Sequence, residues 1–121
     1  MRVELNRTFR FEAAHRLPMV PPDHKCFRVH GHSYVVDVCV AGEVDPAMGW
    51  LVDFGEIAAK VEPFLKKELD HRMLNDVPGL ENATSEVLCG WLWNRLQTLV
   101  PHLHAITVHE TCTARCTYRG E

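Results

Sequence analysis

The sequence predicts an α+β fold, with a four-stranded antiparallel sheet that carries two helices on one of its faces. Three observations support this prediction. Two segments near the start of the chain and two near its end alternate apolar and polar residues, as half-buried strands do. Two segments between them place apolar residues at helical spacing. The order β-β-α-α-β-β over 121 residues fits one domain, residues 1–121.

The four strands follow from period-two alternation. Residues Val3 to His15 form the first, and a loop with three prolines separates it from the second, His30 to Val40. The third strand is expected from His104 to Thr111 and a shorter fourth from Cys112 to Arg119. Neighbouring strands of this kind, with one apolar side each, pair as an antiparallel sheet with one buried face.

The two helices have recognisable beginnings. Asp53 is expected to cap the first helix, because its carboxylate can accept a hydrogen bond from the first turn. Pro63 lies within the apolar repeat that follows, and we expect it to kink or split this helix. Thr84 is expected to cap the second helix, which has to end before Pro101.

Composition excludes several classes of function. The chain is 46% hydrophobic and 24% charged, as ordinary globular proteins are. Its net charge is -3 and no cluster of Lys and Arg occurs, which argues against nucleic acid or an anionic membrane as the main partner. The polar start predicts no signal peptide, and no apolar run reaches the ~18 residues of a membrane span. We therefore expect a cytoplasmic protein whose five cysteines are reduced.

Three histidines are predicted to meet at one end of the sheet. His15 ends the first strand on its apolar side, and His30 and His32 begin the second strand on its apolar side. If the two strands pair as an antiparallel hairpin, all three imidazoles point from the same face. Side chains two residues apart along a strand lie roughly 6.6–7 Å apart and can converge on one ion. Three nitrogen ligands with an open fourth position are typical of a catalytic zinc site.

Cys26 lies four residues before His30 and has three possible roles. It can be a fourth zinc ligand, which would make the site a closed structural one. It can also be a base or nucleophile, since a nearby positive charge favours its thiolate. A buried, inert thiol is the third possibility, and the residue pattern alone leaves all three open.

Two further candidates are carboxylates. Glu110 shares the apolar side of the third strand, so it needs a strong partner there. That partner is either an arginine or a ligand that presents two parallel N–H donors, as a pterin edge does. The Asp70-His71 dipeptide follows the first helix, and an aspartate in this position can orient a histidine that carries a proton.

Six segments together resemble the 6-pyruvoyltetrahydropterin synthase family over almost the whole chain. They are FEAAHRLP, HKCFRVHGHSY, GWLVDFGEI, LDHRMLND, ENATSEVL and HETCTARCTYRGE. The resemblance implies a tunnelling fold whose subunits form trimers around a barrel, with two trimers stacked as a homohexamer. The C-x-x-x-H-G-H spacing favours the bacterial branch of queuosine (7-deazapurine) biosynthesis. That branch converts 7,8-dihydroneopterin triphosphate to 6-carboxy-5,6,7,8-tetrahydropterin, acetaldehyde and triphosphate.

The resemblance also implies a role for each candidate residue. It makes the three histidines the zinc ligands, Cys26 the proton acceptor, Asp70 and His71 a supporting pair, and Glu110 the residue that anchors the pterin. Phe27 departs from the smaller residue that is common after the cysteine, and it can crowd this loop or reshape the pocket. Two alternatives remain: triphosphate elimination to a 6-pyruvoyl product, and a non-catalytic module that binds zinc or pterin.

Overall fold

The computed structural model describes all 121 residues and contains five strands and two α-helices. Two single turns of 3-10 helix, at Lys25–Phe27 and Leu74–Asp76, lie in the connections. The main elements are β1 (Arg2–His15), β2 (His30–Glu43), α1 (Phe54–Glu68), β3 (Arg72–Met73), α2 (Ser85–Leu96), β4 (Leu103–His109) and β5 (Arg115–Tyr118).

The prediction of an α+β fold is confirmed, but the sheet has five strands instead of four. Its order is β3-β1-β2-β4-β5, and β3 pairs with β1 in the parallel direction. This strand has only two residues, so no alternating pattern could reveal it. The other pairings are antiparallel. The long β1–β2 hairpin runs without interruption from the Arg2–Glu43 pair to the His15–His30 pair.

Both helices cover the same face of this sheet. The side chains of alternate residues in β1 and β2, including Phe11 and Val38, enter one cluster of 24 buried residues together with the helices. Helix α1 packs on β1, and α2 packs on β4 and β5. The opposite face is polar along much of β1, where Thr8, Arg10 and Glu12 are exposed. The hydrophobic effect therefore determines which face of the sheet packs against the helices.

The helices begin as predicted, but Pro63 does not split the first one. Asp53 accepts a hydrogen bond from the Gly55 amide at 2.8 Å, and Thr84 caps α2 by accepting one from the Val87 amide. Helix α1 continues through Pro63, which lies on its exposed side, where water can satisfy the carbonyl that loses its donor. No helix is long and apolar enough to cross a membrane.

Candidate metal centre

The hairpin brings the three predicted histidines together. His15 lies directly opposite His30 in the β1–β2 register, and His32 lies opposite Ala13 two positions further along. The three imidazole rings meet edge to face, with ring centroids 4.6 to 5.0 Å apart. One ligand nitrogen from each ring lies within 4.8 Å of the other two. The predicted convergence at the end of the sheet is confirmed, and the cluster can hold a metal ion.

Hydrogen bonds fix which nitrogen is available in two of the three rings, those of His15 and His30. The Nδ1 atom of His15 lies 2.8 Å from the Ala83 carbonyl oxygen, and that of His30 lies 2.7 Å from the Arg28 carbonyl oxygen. A carbonyl can only accept, so Nδ1 carries the proton and Nε2 presents its lone pair. The Nε2 atoms of His15 and His32 are buried and have no hydrogen-bond partner. A buried lone pair without a donor is costly, and a metal ion is the partner that this geometry suits.

Burial also keeps two of these rings neutral. It lowers the pKa of His15 and of His32 below the ordinary value, because a charged imidazolium loses its hydration there. The carboxylate of Glu110 opposes this effect but does not reverse it. Since only the neutral imidazole can donate a lone pair to a metal, the environment prepares the rings for coordination near neutral pH.

Tyr34 supports the cluster from below, a role that its sequence position did not reveal. Its hydroxyl oxygen lies 3.1 Å from Nδ1 of His15, and its ring stacks on Phe11 at 5.0 Å between centroids. The ring also meets the edge of His32 at 5.4 Å. Burial and the charge of Glu110 raise the pKa of Tyr34 far above its ordinary value, so its hydroxyl stays protonated. Tyr34 falls within the predicted second strand, His30 to Val40, and that prediction assigned it no role at the site.

Glu110 lies just beyond the end of β4, beside the histidines. One carboxylate oxygen, Oε1, is 3.5 Å from Nε2 of His15 and 3.8 Å from Nε2 of His32. The side chain is 30% exposed, so it also reaches solvent-filled space. Its nearest ionisable neighbours are these neutral histidines, and no arginine forms an ion pair with it, which argues against the arginine alternative. A cavity of about 370 Å³ next to it is lined by Ser85, Glu86, Glu110, Ala114, Arg115 and Cys116.

Cys26 stands apart from the cluster of ligand atoms. It lies on the 3-10 turn Lys25–Phe27, and its thiol does not belong to the three-nitrogen group. Its backbone is held on both sides: the carbonyl accepts a hydrogen bond from the Leu17 amide at 2.8 Å, and the amide donates to Nδ1 of His24 at 3.0 Å. This arrangement gives no support to a fourth-ligand role and leaves the thiol available as a base.

Asp70 and His71 form a hydrogen-bonded pair. One Asp70 oxygen lies 3.0 Å from Nδ1 of His71, and the other accepts the Glu12 amide hydrogen bond at 2.9 Å. These two bonds, that of Glu12 first, lower the pKa of Asp70, so it stays ionised. The backbone of His71 has φ 59, a left-handed conformation that turns its ring outward, where it is 79% exposed. Both His71 and His32 line one cavity of about 460 Å³.

Asn75, like Tyr34, lies near the site and could not be placed there from the sequence. The Asn75 side chain accepts a hydrogen bond from the Arg16 amide at 2.9 Å and donates to the carbonyls of Arg16 and Glu81. Arg16 directly follows His15, and Glu81 lies two residues before Ala83, which accepts from His15. Asn75 thus ties the end of β1 to the segment that holds this histidine. The LDHRMLND segment contained the signal, but no partner could be assigned from sequence.

A mostly antiparallel sheet with both helices on one face and three histidines at its end defines an α+β protein with a candidate metal centre. The family model described as 6-pyruvoyl tetrahydropterin synthase matches residues 4–121, and the chain belongs to this family. The resemblance seen in the sequence motifs is therefore confirmed.

Named relatives and a solved structure agree with this assignment. The chain is 41% identical to the 6-carboxy-5,6,7,8-tetrahydropterin synthase of Synechocystis over 93% of its own length and 89% of that protein. It is 31% identical to the human 6-pyruvoyl tetrahydrobiopterin synthase, covering 98% of this chain and 92% of the relative. The structure of the Caenorhabditis elegans 6-pyruvoyl tetrahydropterin synthase superposes with a TM-score of 0.90 at 30% identity, covering 100% and 97% of the two chains.

Proposed function

We propose that this chain is a zinc-dependent carbon-carbon lyase of queuosine biosynthesis. It converts 7,8-dihydroneopterin triphosphate to 6-carboxy-5,6,7,8-tetrahydropterin, acetaldehyde and triphosphate, and the atom balance requires one water molecule. The observation that carries the proposal is the trio of converging histidines with two buried, unpartnered Nε2 atoms. The similarity to the Synechocystis protein named for the carboxy product supports this branch of the family.

His15, His30 and His32 are the residues that would hold the zinc ion. Their Nε2 atoms fit this role, because two of the Nδ1 atoms face backbone carbonyls and the remaining lone pairs point into a common space. Zinc prefers such imidazole nitrogens, and a site with three protein ligands keeps one position open. When bound there, zinc supplies Lewis acidity toward oxygens of the substrate side chain.

The chain's own residues then divide the remaining work. Cys26 takes a proton from the substrate side chain as general base. His71, oriented by the ionised Asp70 at 3.0 Å, carries a second proton. Glu110 accepts two N–H donors of the pterin ring, since a carboxylate binds such a pair bidentately. Glu110 lies only 3.5 Å from His15. This short distance supports a substrate whose ring binds Glu110 while its side chain lies next to the histidines.

We also propose that the chain works as a homohexamer, a dimer of trimers with sheets closed into a barrel. The supporting observation is that the sheet ends in two short strands, β3 and β5, whose outer edges are unpaired and can be covered by neighbouring subunits. Multi-angle light scattering checks this proposal. A mass of six chains is expected, and a monomer at micromolar concentration would contradict it.

A product assay tests the proposed reaction. The purified protein is incubated with 7,8-dihydroneopterin triphosphate, and products are identified by mass with and without a zinc chelator. The carboxy product and acetaldehyde are expected, with loss of turnover on chelation and recovery when zinc is restored. A 6-pyruvoyl product would favour the second candidate, triphosphate elimination, which the similarity to the human relative supports. A zinc-loaded protein that binds the pterin and forms no product would be a binding module.

A further inference from the structure

We propose that Arg16 and Phe27 form a clamp that fixes the position of the loop carrying the Cys26 thiol. The inference rests on the proposed function, because it concerns the placement of the base in that reaction. It also gives a role to the aromatic side chain of Phe27, which directly follows the cysteine. Neither residue is assigned to the chemistry itself; both act through the loop that carries Cys26.

The clamp consists of two contacts between the same pair of residues. The Nε–H group of Arg16 donates a hydrogen bond to the Phe27 carbonyl oxygen at 3.0 Å. The guanidinium carbon of Arg16 also lies over the Phe27 ring, 4.3 Å from its centroid. A guanidinium can make both contacts at once because it is planar and presents donors at its edge and a face to the ring. Arg16 therefore contacts both the backbone and the side chain of Phe27.

The loop has little else to hold it. Every residue from Pro21 to Val29 is exposed except Cys26 and Phe27, which are half-buried. No residue of this loop pairs in the sheet before His30, and its own backbone hydrogen bonds are those of two short turns, one from the His24 amide to the Pro21 carbonyl and one at Lys25–Phe27. The position of the thiol consequently depends on the residues on either side of it.

The other side of the clamp is rigid. The Arg16 backbone is fixed in both directions by Asn75, whose side chain accepts from its amide and donates to its carbonyl, each at 2.9 Å. The next residue, Leu17, donates its amide hydrogen bond to the Cys26 carbonyl at 2.8 Å. Arg16 directly follows His15, so the clamp links the thiol to a metal-ligand residue through one peptide unit. Small displacements of a reacting group matter, since about 1 Å can cost about 10²-fold in rate.

Two clamp variants and two controls test this inference on the zinc-loaded protein. R16Q removes both contacts, and F27L removes the aromatic face while it keeps an apolar side chain. F27Y keeps the ring and is the conservative rescue. R95Q is the matched control, because Arg95 stacks on Trp91 at 4.0 Å, on the outer part of α2 and away from Cys26. The measurements are zinc content, kcat and KM, and the rate of Cys26 alkylation by iodoacetamide, resolved by peptide mass mapping.

We expect R16Q and F27L to lower kcat by about 10- to 100-fold. Zinc content stays unchanged and KM stays within about threefold, because metal and pterin contacts remain. Alkylation of Cys26 accelerates in both variants, since the thiol is released from the half-buried loop. F27Y and R95Q behave like the unmodified chain in all measurements. A purely structural role for the pair would lower the melting temperature without this separation of kcat from KM.

Two results would overturn the clamp. One is a kcat within about twofold of the unmodified chain in both R16Q and F27L. The other is loss of zinc together with kcat, which would mean that Arg16 acts on the histidines instead of the thiol. If the unmodified chain forms no product, the proposed reaction fails, and alkylation alone then decides the clamp. An unchanged Cys26 alkylation rate in both variants rejects it in that case.

Discussion

The apolar face of the sheet has two regions that share one geometry and differ in chemistry. In its middle, Phe11 and Val38 are almost completely buried and belong to the cluster of 24 buried residues. At its end, the same alternation places His15 and His32, whose Nε2 atoms are buried without a partner. Packing explains the first region fully. Unpaired buried nitrogens cost stability, so this region fits the proposed metal site better than a purely structural purpose.

A histidine on the opposite face makes the same point. The Nε2 atom of His109 lies 2.8 Å from a carboxylate oxygen of Asp37, and the other oxygen accepts the Thr8 hydroxyl hydrogen bond at 2.7 Å. Each group there has a partner on the chain itself. Eight histidines are present, and only the three at the end of the apolar face leave their nitrogens available to one another.

The largest effect on turnover is expected from replacing Cys26, the proposed base. Cys26→Ala removes the proposed base and should lower kcat by about 10²–10⁴-fold. Zinc content should remain at one ion per chain, because the ligand nitrogens come from the three histidines. Metal analysis and steady-state kinetics of the same preparation check both statements.

Cys112→Ala is the matched control, since it removes an exposed thiol from the loop before β5. It should retain its turnover. If Cys26→Ala protein is purified without zinc, the cysteine is a fourth ligand and the proposed mechanism is wrong.

A smaller effect is expected from the residue beneath the histidines. Tyr34→Phe removes only the hydroxyl that lies 3.1 Å from Nδ1 of His15. Partners of this kind orient a ligand ring, and their loss weakens metal affinity by about 10- to 100-fold. Competition with a zinc-binding dye measures this change. Tyr118→Phe removes a hydroxyl from a ring that packs on Trp93 and should leave the affinity unaltered, while equal affinities for both variants would show that Tyr34 only fills space.

A substitution in the apolar middle of the face should lower stability and leave zinc binding unchanged. Val38 is 0% exposed, so Val38→Ala leaves a cavity and should lower the free energy of unfolding by about 2 kcal/mol. Its zinc content should not change, because no ligand is touched. Urea denaturation at fixed protein concentration, together with metal analysis, separates the two quantities. Loss of zinc in this variant would show that core packing and the metal site are not independent.

The difference between the two regions could largely be predicted from the sequence. Period-two alternation shows which residues share a face, and strand pairing then determines which of them meet. His15, His30 and His32 share the apolar parity, and a hairpin has to bring them together. Asp53 and Thr84 capped their helices as expected, because a cap depends only on residues in the next turn.

What stayed hidden depends on contacts between distant segments. The two-residue β3 has no period, and the partners of Asn75 and Tyr34 lie far along the chain. Pro63 was expected to kink or split its helix, but propensity alone could not tell that it falls on the exposed side. The five-stranded sheet and the uninterrupted helix therefore came from the structure.

The smallest expected effect is on the alkylation of Cys39 and Cys89, two buried thiols with no proposed catalytic role. Burial raises the pKa of Cys39 to about 11 and that of Cys89 to about 12. Both therefore stay protonated at pH 8, and iodoacetamide should label Cys112 while it leaves these two unmodified. Their folded pKa exceeds the unfolded value of about 8.5, so they favour folding below that pH and this contribution falls as the pH rises toward 11. Labelling of Cys89 at pH 8 in folded protein would contradict its buried state.

The most direct test of the metal centre is the zinc content of the unmodified chain and of His30→Ala, measured by mass spectrometry on protein of equal purity. The unmodified chain should contain one zinc ion per subunit. His30→Ala should lose most of it while it keeps its circular dichroism spectrum, because His30 begins β2 at the rim and does not belong to the 24-residue core. Full zinc retention in His30→Ala, or an unmodified chain that never binds zinc, would contradict the assignment of the three histidines as its ligands.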